Sequence, residues 1–335
     1  MRRPPAPDRE APRPASTLGG MAQLGVVLAT FGSAVTAEDV PAYLASVRGG
    51  REVSEDLIDE FRRRYDLIGR SPLIDITQAQ CAALQSLLDS ETPGDGARVI
   101  AGMLHSQPSL TGALDALAAD GTRRIIVVAL APQYSPIILA GYERTVAAWR
   151  EDHPEVDVRI AGAWHLMPDW IDALAERVEE ALANLESQVR TGIPIIFTAH
   201  SLPRPVVDRD PGYITQLHDT AAAIAARLRL DDDRWSFAYQ SAGHTPEEWL
   251  TPDVKDLFPG FRSQGITEIL VVPLQFLADH LEILYDIDIA AGEEAAEAGI
   301  TLRRIALPNT QPAFIRALAA VVERERNAGA VIGRS

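Results

Sequence analysis

The chain has a single cysteine in 335 residues, Cys81. One thiol can form no internal disulfide and cannot by itself hold a thiolate-ligated iron–sulfur cluster. Cys81 falls in an amphipathic stretch, residues 77–88, where a buried structural thiol is expected. Long apolar runs are also missing: none approaches the ~20 residues needed to cross a bilayer. Residues 1–20, MRRPPAPDREAPRPASTLGG, lack the apolar core of a signal peptide. Their proline, arginine and small residues predict a disordered tail. A cytoplasmic protein is therefore expected. Positive charge is scarce as well. Lys and Arg number 31 against 47 Asp and Glu, a net charge of −16. That argues against nucleic acid or an anionic membrane surface as the main partner. No G-x-G-x-x-G follows the first strand and no G-x-x-x-x-G-K-S/T occurs, so nucleotide cofactors lack support. Ser201 has no G-x-S-x-G elbow around it, which removes the usual hydrolase reading.

Among what is present, 47% hydrophobic residues suit a globular chain with a real core. Strand-like apolar runs stand at residues 25–30, 98–103, 125–130, 156–161, 193–198, 235–239, 268–272 and 301–305. Amphipathic segments such as 110–119, 170–185 and 213–228 separate them. That alternation predicts right-handed βαβ units in an α/β protein with parallel sheets. Eight strands suggest two sheets rather than one. The halves echo each other: the first strand runs into Thr30-Phe31-Gly32-Ser33, and the strand opening the second half runs into Thr198-Ala199-His200-Ser201. Ligands of open α/β sheets bind beyond the carboxyl ends of the strands, so both ends should face one cleft. The division expected is 21–188 and 189–335, with the last helix packing back on the body.

Chemistry concentrates in Phe276-Leu-Ala-Asp279-His280-Leu-Glu282-Ile-Leu-Tyr285-Asp286-Ile-Asp288. On an α-helix Asp279, Glu282 and Asp286 share one face, and stacked like charges need a cation or a proton among them. Glu282 stands among apolar neighbours, where a carboxylate is costly unless paired, protonated or metal-bound. His200, at a strand end, is either a loop histidine bonded to backbone or the partner of Glu282. One imidazole and one carboxylate are too few for a closed zinc site; they suit a transient metal or a proton acceptor beside one. Asp286 and Asp288 continue toward the surface as an outer cation site or a plain acidic edge. Arg48, Arg51, Arg62, Arg63 and Arg64 form a basic island, either a solvated helix face or a bidentate reader of carboxylates. Trp249 and Tyr142 are placed to stack on a flat ligand or to pack in the core.

These motifs resemble the ferrochelatases, over residues 25–322. Phe197-Thr-Ala-His200-Ser-Leu-Pro203 is similar to that family's histidine motif, and Phe276 to Asp286 to its glutamate motif. The stretch from Tyr239 to Asp253 resembles the loop between them. Arg64-Tyr65-Asp-Leu-Ile-Gly69-Arg-Ser71-Pro72-Leu73 resembles the N-terminal substrate segment. The resemblance implies two Rossmann-like, chelatase-type halves with a porphyrin in the cleft. It implies insertion of Fe(II), as substrate, with release of two protons, and no tightly bound cofactor. It looks closest to bacterial enzymes acting on coproporphyrin III in haem biosynthesis. His200 and Glu282 would then bind the metal or take the pyrrole protons. Phe31, Arg48, Arg64, Tyr65, Ser71, Tyr142 and Trp249 would line the porphyrin site. Transient contact with neighbouring enzymes of the pathway is a further expectation. Phe31 stands where some relatives carry a tyrosine able to touch the metal, and a phenyl ring cannot ligate. Gly49 replaces a second arginine beside Arg48, and Ala290 replaces another acidic residue. Alternatives are a protoporphyrin IX enzyme, a cobalt or nickel chelatase using His105 or His244, and a non-catalytic porphyrin carrier, which would not need Glu282.

Overall fold

The computed structural model describes residues 24–91, 96–243 and 246–332. The expected tail at 1–20 and His244 lie outside them. Four strands, β1 (Leu24–Thr30), β2 (Ala97–Met103), β3 (Arg124–Ala129) and β4 (Asp157–Ile160), form one parallel sheet in the order β2-β1-β3-β4. The other four, β5 (Ile195–His200), β6 (Trp235–Gln240), β7 (Glu268–Pro273) and β8 (Thr301–Arg304), form a second in the order β6-β5-β7-β8. The two sheets therefore repeat one topology. Parallel strands are covered on both faces, which is why β1 reads LGVVLAT with every residue buried.

Helices α1 (Val40–Val47), α2 (Glu55–Ile68), α3 (Leu73–Glu91), α4 (Leu110–Ala119), α5 (Pro136–Asp152), α6 (Pro168–Ala183) and the short α7 (Ser187–Gly192) precede β5. Then come α8 (Arg204–Val207), α9 (Pro211–Leu228), α10 (Phe258–Ser263), α11 (Gly292–Glu297) and α12 (Pro312–Ile332). Position 188 falls inside α7. The last helix returns to pack on α3 and α6. One core consequently includes Leu28 and Val128 of the first sheet and Phe197 and Val272 of the second, together with Trp170 and Phe314. The rings of Trp170 and Phe314 meet edge to face, centroids 5.7 Å apart. Cys81 belongs to this core, and burial pushes its thiol up to about 12. No helix among the described residues is long and apolar enough to cross a membrane.

One element differs from the periodicity. Residues 282–291, expected to be α-helical, form a π-helix that runs directly into α11. Its i→i+5 bonding is a rare pattern that hydrophobic spacing does not encode. The helix begins too late to include Asp279.

Candidate active site

In each sheet the first strand lies between the second and the third, so the chain switches direction beside β1 and beside β5. The carboxyl ends of those strands are where such sheets bind ligands. A cleft of about 990 Å³ lies there, walled by both halves. The β1 end needs Gly32: its φ is +96°, and a Cβ would stand 2.6 Å from Ser106 Oγ. Ser106 in turn accepts from the Ser33 amide (2.8 Å) and donates to the Ser33 carbonyl (2.7 Å), locking the turn that presents Phe31.

On the second half, β5 delivers His200. Its backbone amide donates to Gln275 Oε1 (3.0 Å), and its Nδ1 is engaged by the Ser201 carbonyl. The turn after β7 delivers His280, whose Nδ1 donates to the Ala278 carbonyl (2.9 Å). A carbonyl only accepts, so each ring carries its proton on Nδ1 and turns Nε2 toward the cleft when neutral. Both Nε2 atoms face the same atom, Glu282 Oε2, at 3.8 Å from His200 and 3.7 Å from His280. Burial opposes ionisation of Glu282. The charges of His200, His280 and Arg64 outweigh it, holding the carboxyl at about 2. Among the described residues no group of three or more His, Cys, Asp or Glu is arranged as a metal cage. The arrangement is an open cluster: one ionised carboxylate faced by the Nε2 atoms of two imidazoles.

His280 was not among the residues singled out for chemistry. On a continuous α-helix, residues two apart point to opposite sides, which separates His280 from Glu282. The break in the helix before Leu281 removes that objection. The only signal in the sequence was its position two residues before Glu282.

The first half supplies Phe31, Tyr43, Arg48, Arg64, Tyr65 and Tyr142 to the cleft wall. Phe31 is 46% exposed and rests on His105, ring centroids 4.5 Å apart. His105 thus lies behind Phe31, its Nδ1 paired with Ser46 Oγ at 3.0 Å, away from the two cleft histidines. Arg48 lines the cleft, and its guanidinium has no partner among the described residues. Arg64 is differently placed from the expectation of a free carboxylate reader. It bonds Glu60 (2.8 Å), approaches Asp286 (3.5 Å) and stacks over Tyr285 at 4.9 Å. Arg63 donates to the Tyr285 hydroxyl (2.8 Å), so α2 is tied to the π-helix. The (i, i+3) and (i, i+4) spacing of Glu60 to Arg63 and Arg64 builds that pairing into α2.

Two expectations are corrected. Ser71 does not line the cleft; it is buried, and its hydroxyl meets Ser33 Oγ at 2.9 Å. Tyr65 borders the cleft but directs its hydroxyl to the same Ser33 (2.9 Å), so the three form a buried brace for the Gly32 turn. The carboxylates of the expected outer cation site meet protein cations. Asp288 is held by Arg304 through two bonds of 2.7 Å. Asp286 faces the cleft beside Arg64, with burial raising its carboxyl. Glu294, farther along the wall, pairs with the chain's single lysine, Lys255, at 3.4 Å. Protein cations already match these carboxylates. Trp249 does line the cleft, and its ring lies so close over Gly243 that a Cβ there would approach to 2.6 Å.

The sequence model described as Ferrochelatase matches residues 23–326. The ferrochelatase of Deinococcus radiodurans is 38% identical over 312 residues, covering 92% of this chain and 98% of that protein. The coproporphyrin III ferrochelatase of a Geobacillus species is 33% identical over 302 residues, covering 90% and 97%. Among solved structures, SirB from Bacillus subtilis with Fe3+ superposes with a TM-score of 0.53 at 13% identity, covering 90% of this chain and 94% of that one. At that identity the likeness is one of fold.

Proposed function

The chain belongs to the ferrochelatase family, metal-insertion lyases of haem biosynthesis, and on that premise we propose that it inserts Fe(II) into coproporphyrin III through His200, His280 and Glu282. The observation that carries the residue assignment is the single carboxylate oxygen faced by two Nε2 atoms at 3.7 and 3.8 Å. A free-base porphyrin holds two pyrrole protons that must leave as the metal enters. Glu282, ionised far below neutral pH, contributes charge and an oxygen ligand rather than a resting base. Each imidazole presents Nε2 toward Glu282 and, in its neutral form, can accept a proton there. A carboxylate is also a weak enough ligand to hand Fe(II) onward. Phe31, from the opposite half, offers a flat apolar contact and no ligand atom.

One point supports coproporphyrin III over protoporphyrin IX. Relatives at about a third identity carry that substrate in their names. Arg48, which also lines the cleft and has no partner among the described residues, suits a propionate of either porphyrin. Turnover of the two porphyrins with Fe(II), followed by the absorbance change on metal insertion, decides the substrate. A higher kcat/KM for coproporphyrin III is expected, and a clear preference for protoporphyrin IX overturns that choice. Glu282→Gln should keep porphyrin binding and lose insertion.

A further inference from the structure

The π-helix carrying Glu282 has no side-chain cap at its N-terminus. Ten residues of i→i+5 backbone are unusual, because such geometry mostly occurs as single-turn bulges. Something outside the segment must favour this register over the α-helical one. Arg304 is placed to do so. It is the last residue of β8, paired in register with Val271 of β7, so its backbone is fixed by the sheet. Its guanidinium grips Asp288, inside the π-helix, with Nε and Nη2 at 2.7 Å from the two carboxylate oxygens. The same Nη2 lies 3.2 Å from Asp279 Oδ1, ahead of the helix, and Nη1 donates to the Ile305 carbonyl (3.0 Å). Asp279 and Asp288 bracket Glu282, and neither they nor Arg304 lines the cleft.

Asn309 completes the brace. It accepts from the Asp279 amide (3.0 Å) and donates to Asp279 Oδ2 (2.7 Å). Its φ of +45° is a left-handed conformation that asparagine tolerates better than most residues. The Asn309 carbonyl accepts from the buried Gln80 of α3 (2.8 Å), which links the brace to the first half. An arginine suits this position because its fork holds Asp288 through two bonds while its charge pairs with Asp279.

We propose that Arg304 is a positioning residue for the metal step: by clamping Asp279 and Asp288 from behind, it sets the π-helical register and thereby the place of Glu282 opposite His200. This rests on the reading of Glu282 as a metal-handling group. Partners that orient ligand groups typically contribute about 10- to 100-fold in metal affinity or activity.

The test measures Fe(II) insertion, porphyrin affinity by fluorescence, amide hydrogen exchange of residues 282–291 and thermal stability in four variants. Arg304→Met should raise KM for Fe(II) about 10- to 100-fold, with porphyrin affinity unchanged and faster exchange confined to the π-helix. Arg304→Lys, which keeps the charge without the fork, should fall between that variant and wild type. Arg303→Met, the exposed neighbour on β8, should leave all four readouts as in wild type. If Arg304→Met fails to fold, Asp288→Asn removes one anchor and should shift KM for Fe(II) in the same direction by a smaller factor. An unchanged KM for Fe(II), or a loss of activity matched by lost porphyrin binding, overturns the inference. Glu282→Gln, run alongside, separates the two failures. Normal iron insertion by it removes the reading beneath the inference, whereas a dead Glu282→Gln beside a normal Arg304→Met overturns the inference alone.

Discussion

His280 Nε2 lies 3.7 Å from Glu282 Oε2, and His200 Nε2 lies 3.8 Å from the same oxygen. The closeness has an electrostatic consequence for His280. Burial pushes its imidazole down, but the charge of Glu282, the Ala278 carbonyl and the charge of Asp286 outweigh it, leaving a raised value. A raised histidine contributes stability that is complete below its unfolded pKa of about 6.5 and is lost as pH rises through the folded value. In Glu282→Gln the main opposing charge is gone and burial dominates. We predict that the His280 pKa then falls below about 6.5, and that stability is lost toward low pH instead. Imidazole NMR titration of both proteins checks this; an unmoved His280 contradicts the pairing.

Removing either imidazole should affect chemistry more than binding. His200→Ala and His280→Ala are each expected to lower kcat for iron insertion by about 10²- to 10⁴-fold, the range for a positioned proton acceptor. Porphyrin affinity should stay near that of wild type, because the flat walls and Arg48 belong to other elements. The double variant should lose less than the product of the single losses, since both rings act on one carboxylate. Single-turnover kinetics separate these effects from product release.

Arg48 and Arg64 should respond differently to substitution. Arg48 has no protein partner among the described residues, so Arg48→Met should raise KM for coproporphyrin III by about 10-fold or more, the loss of one charge-assisted contact. The tetramethyl ester of the same porphyrin should show little of this difference. Arg64 is already engaged with Glu60, Asp286 and Tyr285. Arg64→Met should therefore change KM less, while loosening α2 from the π-helix as seen by faster hydrogen exchange in residues 55–68.

The return of α12 to the first half makes a prediction about folding. Phe314 is fully buried against Trp170 in a core shared by both sheets. Phe314→Ala should cost about 3–5 kcal/mol in urea unfolding. One core implies one cooperative transition. Two separated transitions in tryptophan fluorescence and far-UV dichroism would contradict the shared packing.

The eight strands, their parallel pairing and the convergence of β1 and β5 on one cleft were legible in the sequence. Buried parallel strands are written as short aliphatic runs, and the helices between them carry their own periodicity. His200 and Glu282 could be picked out as candidates, one as a polar residue ending a strand and the other as a carboxylate in an apolar run; that they stand 3.8 Å apart came from the tertiary structure. The partners of the remaining charges were decided by tertiary structure alone. Asp279 and Asp288 turn away to Arg304, Arg64 turns to Asp286, Ser71 and Tyr65 turn inward to Ser33, and His280 turns up to Glu282. The physical reason is that local spacing fixes which face a residue takes only while the backbone keeps a known period. Where the chain leaves the α-helical period at residues 276–291, Asp279 and Asp288 meet Arg304 and Asn309, which arrive from β8 and the segment that follows it.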